Sequence, residues 1–235
     1  MGTSGNRKMV FKRFTVRDEK CAMKIGTDGV MIGAWASPNH NHKKTQFQIA
    51  DIGSGSGVIA LMLAQRFPES FITAVELEPQ AAEQSRENFY ASPFHSRLEC
   101  IEESFQDWSL RSTNDSRYDL VVSNPPFFHG KPKSPFHARN LARHDDYLNV
   151  TDLFDGANKV LSREGVFCVV WPVERDLDLM EAASHINFKM IRKCLIRPTP
   201  NHESVRFMAE FSKMQPGETS TVNVNPTVFT LETGE

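Results

Sequence analysis

Two short stretches of this chain carry residue types whose spacing could do chemistry. The first is Asp51-Ile52-Gly53-Ser54-Gly55-Ser56-Gly57. Glycines at alternate positions let the backbone turn tightly and let a ligand approach the main chain. Glu76 ends the next apolar run, where a carboxylate in a doubly wound fold reaches ribose hydroxyls. The pair predicts an adenosine-containing ligand. A dinucleotide fingerprint needs glycine at position 58, which holds Val58. A fixed acid such as Asp51 is also a poor neighbour for a pyrophosphate seated on a helix N-terminus. An ammonium or sulfonium cation tolerates that acid. A glycine-rich turn without any ligand is the plain alternative.

The second stretch is Asn124-Pro125-Pro126-Phe127, entered directly from the apolar run Tyr118–Ser123. Pro125 keeps Asn124 out of the helical region and Pro126 stiffens the exit. An amide and an aromatic ring thus stand fixed at a strand tip. Such a tip suits methyl transfer to a planar nitrogen. The Asn124 side-chain oxygen and the Pro125 carbonyl accept the two N–H groups of an amine and aim its lone pair. Phe127 stacks on the base, an interaction worth roughly 1–3 kcal/mol. The reaction then rests on positioning and electrostatics rather than on a strong base. A base within a structured nucleic acid must also be flipped out. Adenine N6, cytosine N4, guanine N2 and a glutamine amide all remain open as acceptors.

The elements that must position these residues follow from the hydrophobic pattern. Short apolar runs, QIADIG, FITAVELE, RLECIEES, YDLVVSNPP, VFCVVWP, MIRKCLIRP and SVRFMAEFSK, alternate with helical stretches. The helices are read at SGVIALMLAQRFP, at PQAAEQSRENFYAS with Pro79 in its first turn, at TDLFDGANKVLSREG with Thr151 as N-cap, and over 174–189. Strands alternating with helices predict an α/β fold: a single doubly wound, mainly parallel, seven-stranded sheet of Rossmann-like type. Residues 1–36 are read as a basic arm and cofactor-covering segment, and 37–235 as the catalytic domain.

Composition bounds the rest. The chain has 235 residues, 40% of them hydrophobic and 24% charged, with a formal net charge of −2. That excludes wholesale disorder and a nucleic-acid packaging role. No run reaches the ~18 apolar residues of a membrane span, and the basic N-terminus is followed by no signal-peptide core. Cys21, Cys100, Cys168 and Cys194 show no paired spacing, as expected of reduced thiols in a cytoplasmic protein. His40 and His42 lack a third ligand, so no metal is expected. Charge is unevenly spread: Arg7, Lys8, Lys12, Arg13, Arg17, Lys20 and Lys24 crowd the N-terminus, and Lys131, Lys133, Arg139 and Arg143 follow Phe127. Both groups are expected on loops at the same sheet edge as Asn124, as a basic rim for RNA. His129, His137 and His144 are read as rim or fold residues rather than as bases.

The stretches Phe11–Phe14, Cys21–Gly29 and Gly33–Ala36, with the glycine loop, Ala74–Leu77, the NPPF tip, Leu141–His144 and Gly165–Phe167, resemble the bacterial valine-tRNA (adenine-N6) methyltransferase family. That family lies within the class I S-adenosylmethionine-dependent methyltransferases. The resemblance implies S-adenosylmethionine as cofactor, a tRNA substrate, and methylation of the adenine 3′ of the anticodon. It places Lys24, Gly26, Thr27 and Asp28 at the methionine end of the cofactor, with Asp51, Gly53 and Gly55 in the loop and Glu76 on the ribose. Asn124 also borders the cofactor, while Asn124, Pro125 and Phe127 form the acceptor site. Where the family pattern has Ala-Asp-Ile beside the cofactor's adenine, this chain has Glu103-Ser104-Phe105, so Glu103 or Ser104 is expected to face the adenine. The family's aromatic-rich tail after Glu232 is expected to be missing. No obligate protein partner is implied. The alternatives are methylation of another planar nitrogen (a protein glutamine amide or an rRNA base), a non-catalytic cofactor-binding RNA module, and a nicotinamide-dependent oxidoreductase, which Val58 and NPPF disfavour.

Overall fold

The computed structural model describes residues 8–38, 44–126, 148–218 and 224–232. A small antiparallel hairpin, β1 (Lys8–Val10) and β2 (Thr15–Arg17), precedes helix α1 (Thr27–Trp35). Then come β3 (Gln48–Ile52), α2 (Val58–Arg66), β4 (Phe71–Glu76), α3 (Pro79–Tyr90), β5 (Leu98–Glu102), α4 (Phe105–Ser109) and β6 (Tyr118–Ser123). The second half runs α5 (Val150–Val160), β7 (Leu161–Pro172), α6 (Asp176–His185), β8 (Phe188–Arg197), β9 (Arg206–Lys213) and β10 (Thr227–Thr230).

The large sheet has eight strands in the order β5-β4-β3-β6-β7-β9-β8-β10. Strands β3 to β7 are mutually parallel, and β9 runs antiparallel to both of its neighbours. Alternation along each strand splits the core in two. On β6, Leu120 and Val122 join one cluster with Ile32, Leu61 and Phe89. Val121, between them, joins Phe105, Trp108, Phe154 and Phe211 on the opposite face. Phe14, Val16, Ile25 and Ala36 are buried in the first cluster, so the N-terminal segment shares its core with the sheet. Because β3 has β4 on one side and β6 on the other, chain direction forks above its carboxyl end. A crevice forms at such a switch point.

Three expectations need correction. The sheet has eight strands, not seven, because Thr227–Thr230 adds β10 in parallel register to Cys194–Arg197 of β8. The Arg197 Nε donates to Thr230 Oγ1 at 2.7 Å and helps hold this edge. The four-residue strand is half exposed and lacks the long apolar run that marked the others. Helix α5 stops at Val160, and Leu161 turns inward opposite Tyr118 to begin β7. Its N-cap is Asn149, whose side chain accepts the Asp152 N–H at 2.9 Å, rather than Thr151.

Candidate active site

Strand β3 delivers the glycine loop to the fork. Gly53, Gly55 and Gly57 have φ of 68°, 54° and 76°, the left-handed region where glycine alone is unstrained. At Gly53 and Gly55 a Cβ would meet nothing within 4 Å, so the loop presents bare backbone to open space. At Gly57 a Cβ would lie 2.4 Å from a Phe89 ring carbon. This third glycine therefore serves packing of the loop on α3, and the first two leave room for a ligand.

Glu76 locks the loop from β4. Its two carboxylate oxygens accept the Gly55 N–H at 2.7 Å and the Glu78 N–H at 2.9 Å. Burial pushes this carboxyl upward and the two N–H groups pull it back. Each oxygen keeps a lone pair for a hydroxyl donor.

Asp51 lies beneath the loop and is fully buried. Its Oδ2 accepts the Ala60 N–H at 3.0 Å, near the start of α2, and Oδ1 has no hydrogen-bond partner. Desolvation, reinforced by Glu76, pushes its carboxyl up to about 7. Asp51 is not among the residues that line the cavity above the loop.

That cavity, about 890 Å³, spans the carboxyl ends of β3, β4 and β6. It falls within the ~300–1,000 Å³ range of small-molecule sites. Among the expected residues it brings together Lys24, Gly26, Gly53, Gly55, Glu76, Glu103, Ser104, Asn124 and Pro125. Thr27 and Asp28 are not among its lining. Asp28 lies beside Arg206 at the start of β9, with Oδ2 3.8 Å from Nε. Phe127, and with it Lys131, Lys133, Arg139 and Arg143, lies outside the described residues, as do Arg7, His40, His42, His129, His137 and His144.

Several lining residues are already engaged. The Lys24 ammonium donates to the carbonyls of Asp18 (2.8 Å), Glu19 (3.1 Å) and Cys21 (2.8 Å), which uses all three of its protons. It staples the segment that flanks the cavity. Ser104 caps α4 by accepting the Asp107 N–H at 3.0 Å, and it donates to the Asp107 carboxylate at 2.8 Å. Glu103 is ion-paired with Arg111 at 2.7 Å. Asn124 stands at the end of β6, which is tied to β3 by the Ser123 hydroxyl donating to the Ile52 carbonyl at 2.9 Å. Gly29 of α1 lies close by: a Cβ there would come 3.8 Å from Asn124 Nδ2.

The apolar part of the cavity is only partly legible in the sequence, where Phe105, next to Glu103 and Ser104, is expected to pack on the adenine ring and Pro79, Leu77 and Leu148 are not. Leu77, Pro79, Phe105 and Leu148 line it. Leu77 carried a usable signal: an apolar residue directly after the strand-ending acid, 45% exposed. Among the described residues no group of three or more His, Cys, Asp or Glu could hold a metal ion. No described helix is long and apolar enough to cross a membrane.

Residues 38–186 match the methyltransferase small domain family. A protein of Trichodesmium erythraeum named tRNA1(Val) (adenine(37)-N6)-methyltransferase is 38% identical over 97% of this chain and 95% of its own length. A Parabacteroides distasonis protein of the same name is 39% identical over 86% of this chain and 82% of its own. The chain belongs to this methyltransferase family. Solved structures agree on the fold. A predicted O-methyltransferase of Agrobacterium tumefaciens superposes with a TM-score of 0.62 at 18% identity, over 87% of this chain and 85% of that one. M. jannaschii TYW2, solved in complex with AdoMet, gives 0.58 at 15% identity, over 91% and 89%.

Proposed function

We propose that this chain is an S-adenosylmethionine-dependent methyltransferase acting on the N6 amine of an adenine in tRNA, the one named adenine 37 in tRNA1(Val) in its relatives. One observation carries the reading: Asn124 and Pro125 share a single cavity with the bare Gly53–Gly55 backbone and Glu76. A nucleoside-bearing cofactor and a planar amine thereby meet in one space.

The residues fit that cofactor. Gly53 and Gly55 leave the loop open to it. Glu76 has lone pairs left for the ribose hydroxyls, and Leu77, Phe105 and Pro79 offer apolar surface for an adenine. Glu103 and Ser104 remain beside that surface, but the Arg111 ion pair and the α4 cap leave them limited capacity. Lys24 and Gly26 would border the methionine end through stem and backbone, and the part of the first 36 residues that lines the cavity, Cys21–Gly26 with Gly29, would serve as cover, the basic arm lying before it. Thr27 and Asp28 would act from behind this lining. Asp51 would act at a distance, by placing a titratable acid under a site built for a cation. When bound, S-adenosylmethionine supplies an electrophilic methyl group on a sulfonium.

The protein's own part is geometric. The Asn124 side-chain oxygen and the Pro125 carbonyl accept the two N–H groups of the adenine amine. This turns the nitrogen lone pair out of conjugation and fixes its direction. Phe127 would stack on the flipped base. The amine loses a proton to water after transfer.

The test is an assay with methyl-labelled cofactor and unmodified tRNA, digested to nucleosides. Label in N6-methyladenosine is expected. Label confined to a protein glutamine would transfer the reading to the rival acceptor, and no label in RNA would end it.

A further inference from the structure

We propose that the outward face of the β1–β2 hairpin is a second RNA-binding surface, which grips phosphates of the substrate away from the methylated base. The inference rests on the tRNA reading above and extends it to a flank of the molecule outside the active-site crevice.

The hairpin has an unusual charge arrangement. In its antiparallel register Lys8 lies directly opposite Arg17. Both point away from the core, since Met9 and Val16 take the inward positions. Like charges directly opposed across two strands are destabilising, so this face is built at a cost that an anion would offset. Lys12 and Arg13, in the turn between the two strands, are exposed as well. From Lys8 to Arg17 there is no acidic residue. None of these four cations has a carboxylate partner among the described residues. The neighbouring Lys20 differs: it is neutralised by Glu83 at 2.9 Å and Glu87 at 2.7 Å.

The hairpin is also held in place, which a solvated charged tail would not need. Asn88 near the end of α3 accepts the Arg17 N–H at 3.0 Å and donates to its carbonyl at 2.8 Å. Phe14 packs edge-on against Phe94 with ring centroids 6.0 Å apart, and the Arg13 guanidinium lies 5.3 Å from the same ring's centroid. Both strands therefore present their cations from a fixed platform.

Position selects the partner. Asn88, which holds Arg17, also donates to the Ser56 carbonyl at 2.8 Å, and Ser56 lines the cavity, so the hairpin is rooted beside the glycine loop on its α3 side. A nucleic acid whose flipped base enters the cavity carries its neighbouring phosphates past this flank. A rigid basic surface on the flank of the pocket suits a structured RNA better than a small acidic ligand. Of the N-terminal cations, Lys24 shares the cavity with Asn124, and those of the hairpin stand on its α3 flank.

The test uses the full-length protein and unmodified tRNA. The Lys8→Gln/Arg17→Gln variant, and separately Lys12→Gln/Arg13→Gln, are compared with wild type in tRNA binding and methylation across a salt series. Each pair is expected to raise KM for tRNA about 5- to 50-fold while leaving kcat and the affinity for S-adenosylmethionine unchanged. The slope of log affinity against log salt is expected to fall by roughly 0.7–0.9 for each phosphate that the variant no longer neutralises. Restoring charge with Lys8→Arg/Arg17→Lys is expected to restore the slope. Unchanged tRNA affinity in both neutral variants overturns the proposal, yet leaves the methyltransferase reading intact as long as wild type methylates tRNA. Failure of wild type to bind or methylate any RNA would bring down the underlying reading instead. Charge-dependent binding to vesicles of anionic lipid, with none to tRNA, would assign the face to a membrane and overturn the proposal.

Discussion

At the scale of single residues, the site divides into groups that face the cavity and groups that hold those in place. Asn124 belongs to the first kind. Asn124→Ala is expected to lower turnover at least ~100-fold, the usual cost of removing a preorganised polar group at a reacting centre. Cofactor affinity, measured by calorimetry, should stay within about threefold. Asp51 belongs to the second kind and has a pH signature. Its carboxyl is pushed up to about 7, above the ~3.9 of an exposed aspartate. The folded chain thus holds a proton that the unfolded chain has released. Stability contributed at low pH is therefore lost as pH rises from about 4 through about 7. Between pH 5 and pH 8, wild type should lose about 1–3 kcal/mol more than Asp51→Asn in urea unfolding. Equal losses would show that Asp51 stays ionised throughout. The Asp-x-Gly-x-Gly-x-Gly loop and the Asn124-Pro125 end of β6 were legible because they are local, while Phe127 lies outside the described residues. The pairing of Asp28 with Arg206 was not, since those residues meet only once β9 has been inserted into the sheet.

At the scale of elements, packing decides what the patterns left open. Gly57 begins α2 in a left-handed conformation with Phe89 against it. Gly57→Ala combines backbone strain with overpacking and should cost about 2–4 kcal/mol in chemical denaturation. Helix α1, rich in glycine, carries no clear helical signal in the sequence. It exists because Gly33 lets α2 approach so closely that a Cβ would lie 2.8 Å from the Met62 sulfur. Its C-terminal end is held by Arg66, which donates to the carbonyls of Gly33 at 2.9 Å and Ala36 at 2.6 Å. Arg192 donates to the Trp35 carbonyl at 2.8 Å and lies 3.8 Å from the centroid of that indole. Its Nε donates to Glu210, 2.8 Å away and nearly buried. Arg192→Ala removes the cation facing that nearly buried carboxylate and leaves it the Ser37 N–H at 3.2 Å, and a loss of about 3–5 kcal/mol is expected. The Arg192→Ala/Glu210→Gln double variant should recover a substantial part of it. None of these ties is local in sequence, which is why the residue pattern shows α1 only as part of a basic arm.

At the scale of the whole molecule, a near-zero net charge conceals a division of labour. Acids are concentrated on β4, α3 and β5, with Glu76, Glu78, Glu83, Glu87, Glu99 and Glu102. The first seventeen residues carry none. The fold class was readable because strand and helix alternate in the order a doubly wound sheet requires. The eighth strand was not, because four half-exposed residues at an edge carry little hydrophobic signal.

The position of β9 between β7 and β8 also governs how the chain is made. On a ribosome β7 is completed before β8 emerges, and its partner on that side is not synthesised until after β8. Throughout that interval Val166–Trp171 has a bare edge: six residues, uncharged, apolar and rich in valine. Such a segment is a template for pairing between chains. Chains ended after Pro200 are therefore expected to pellet when translated in vitro, and chains ended after Gly217 to remain dispersed. Equal pelleting would show that β7 is shielded before β9 arrives. The late insertion of β9 leaves the nascent protein dependent on timely elongation, or on a chaperone, for the length of one hairpin.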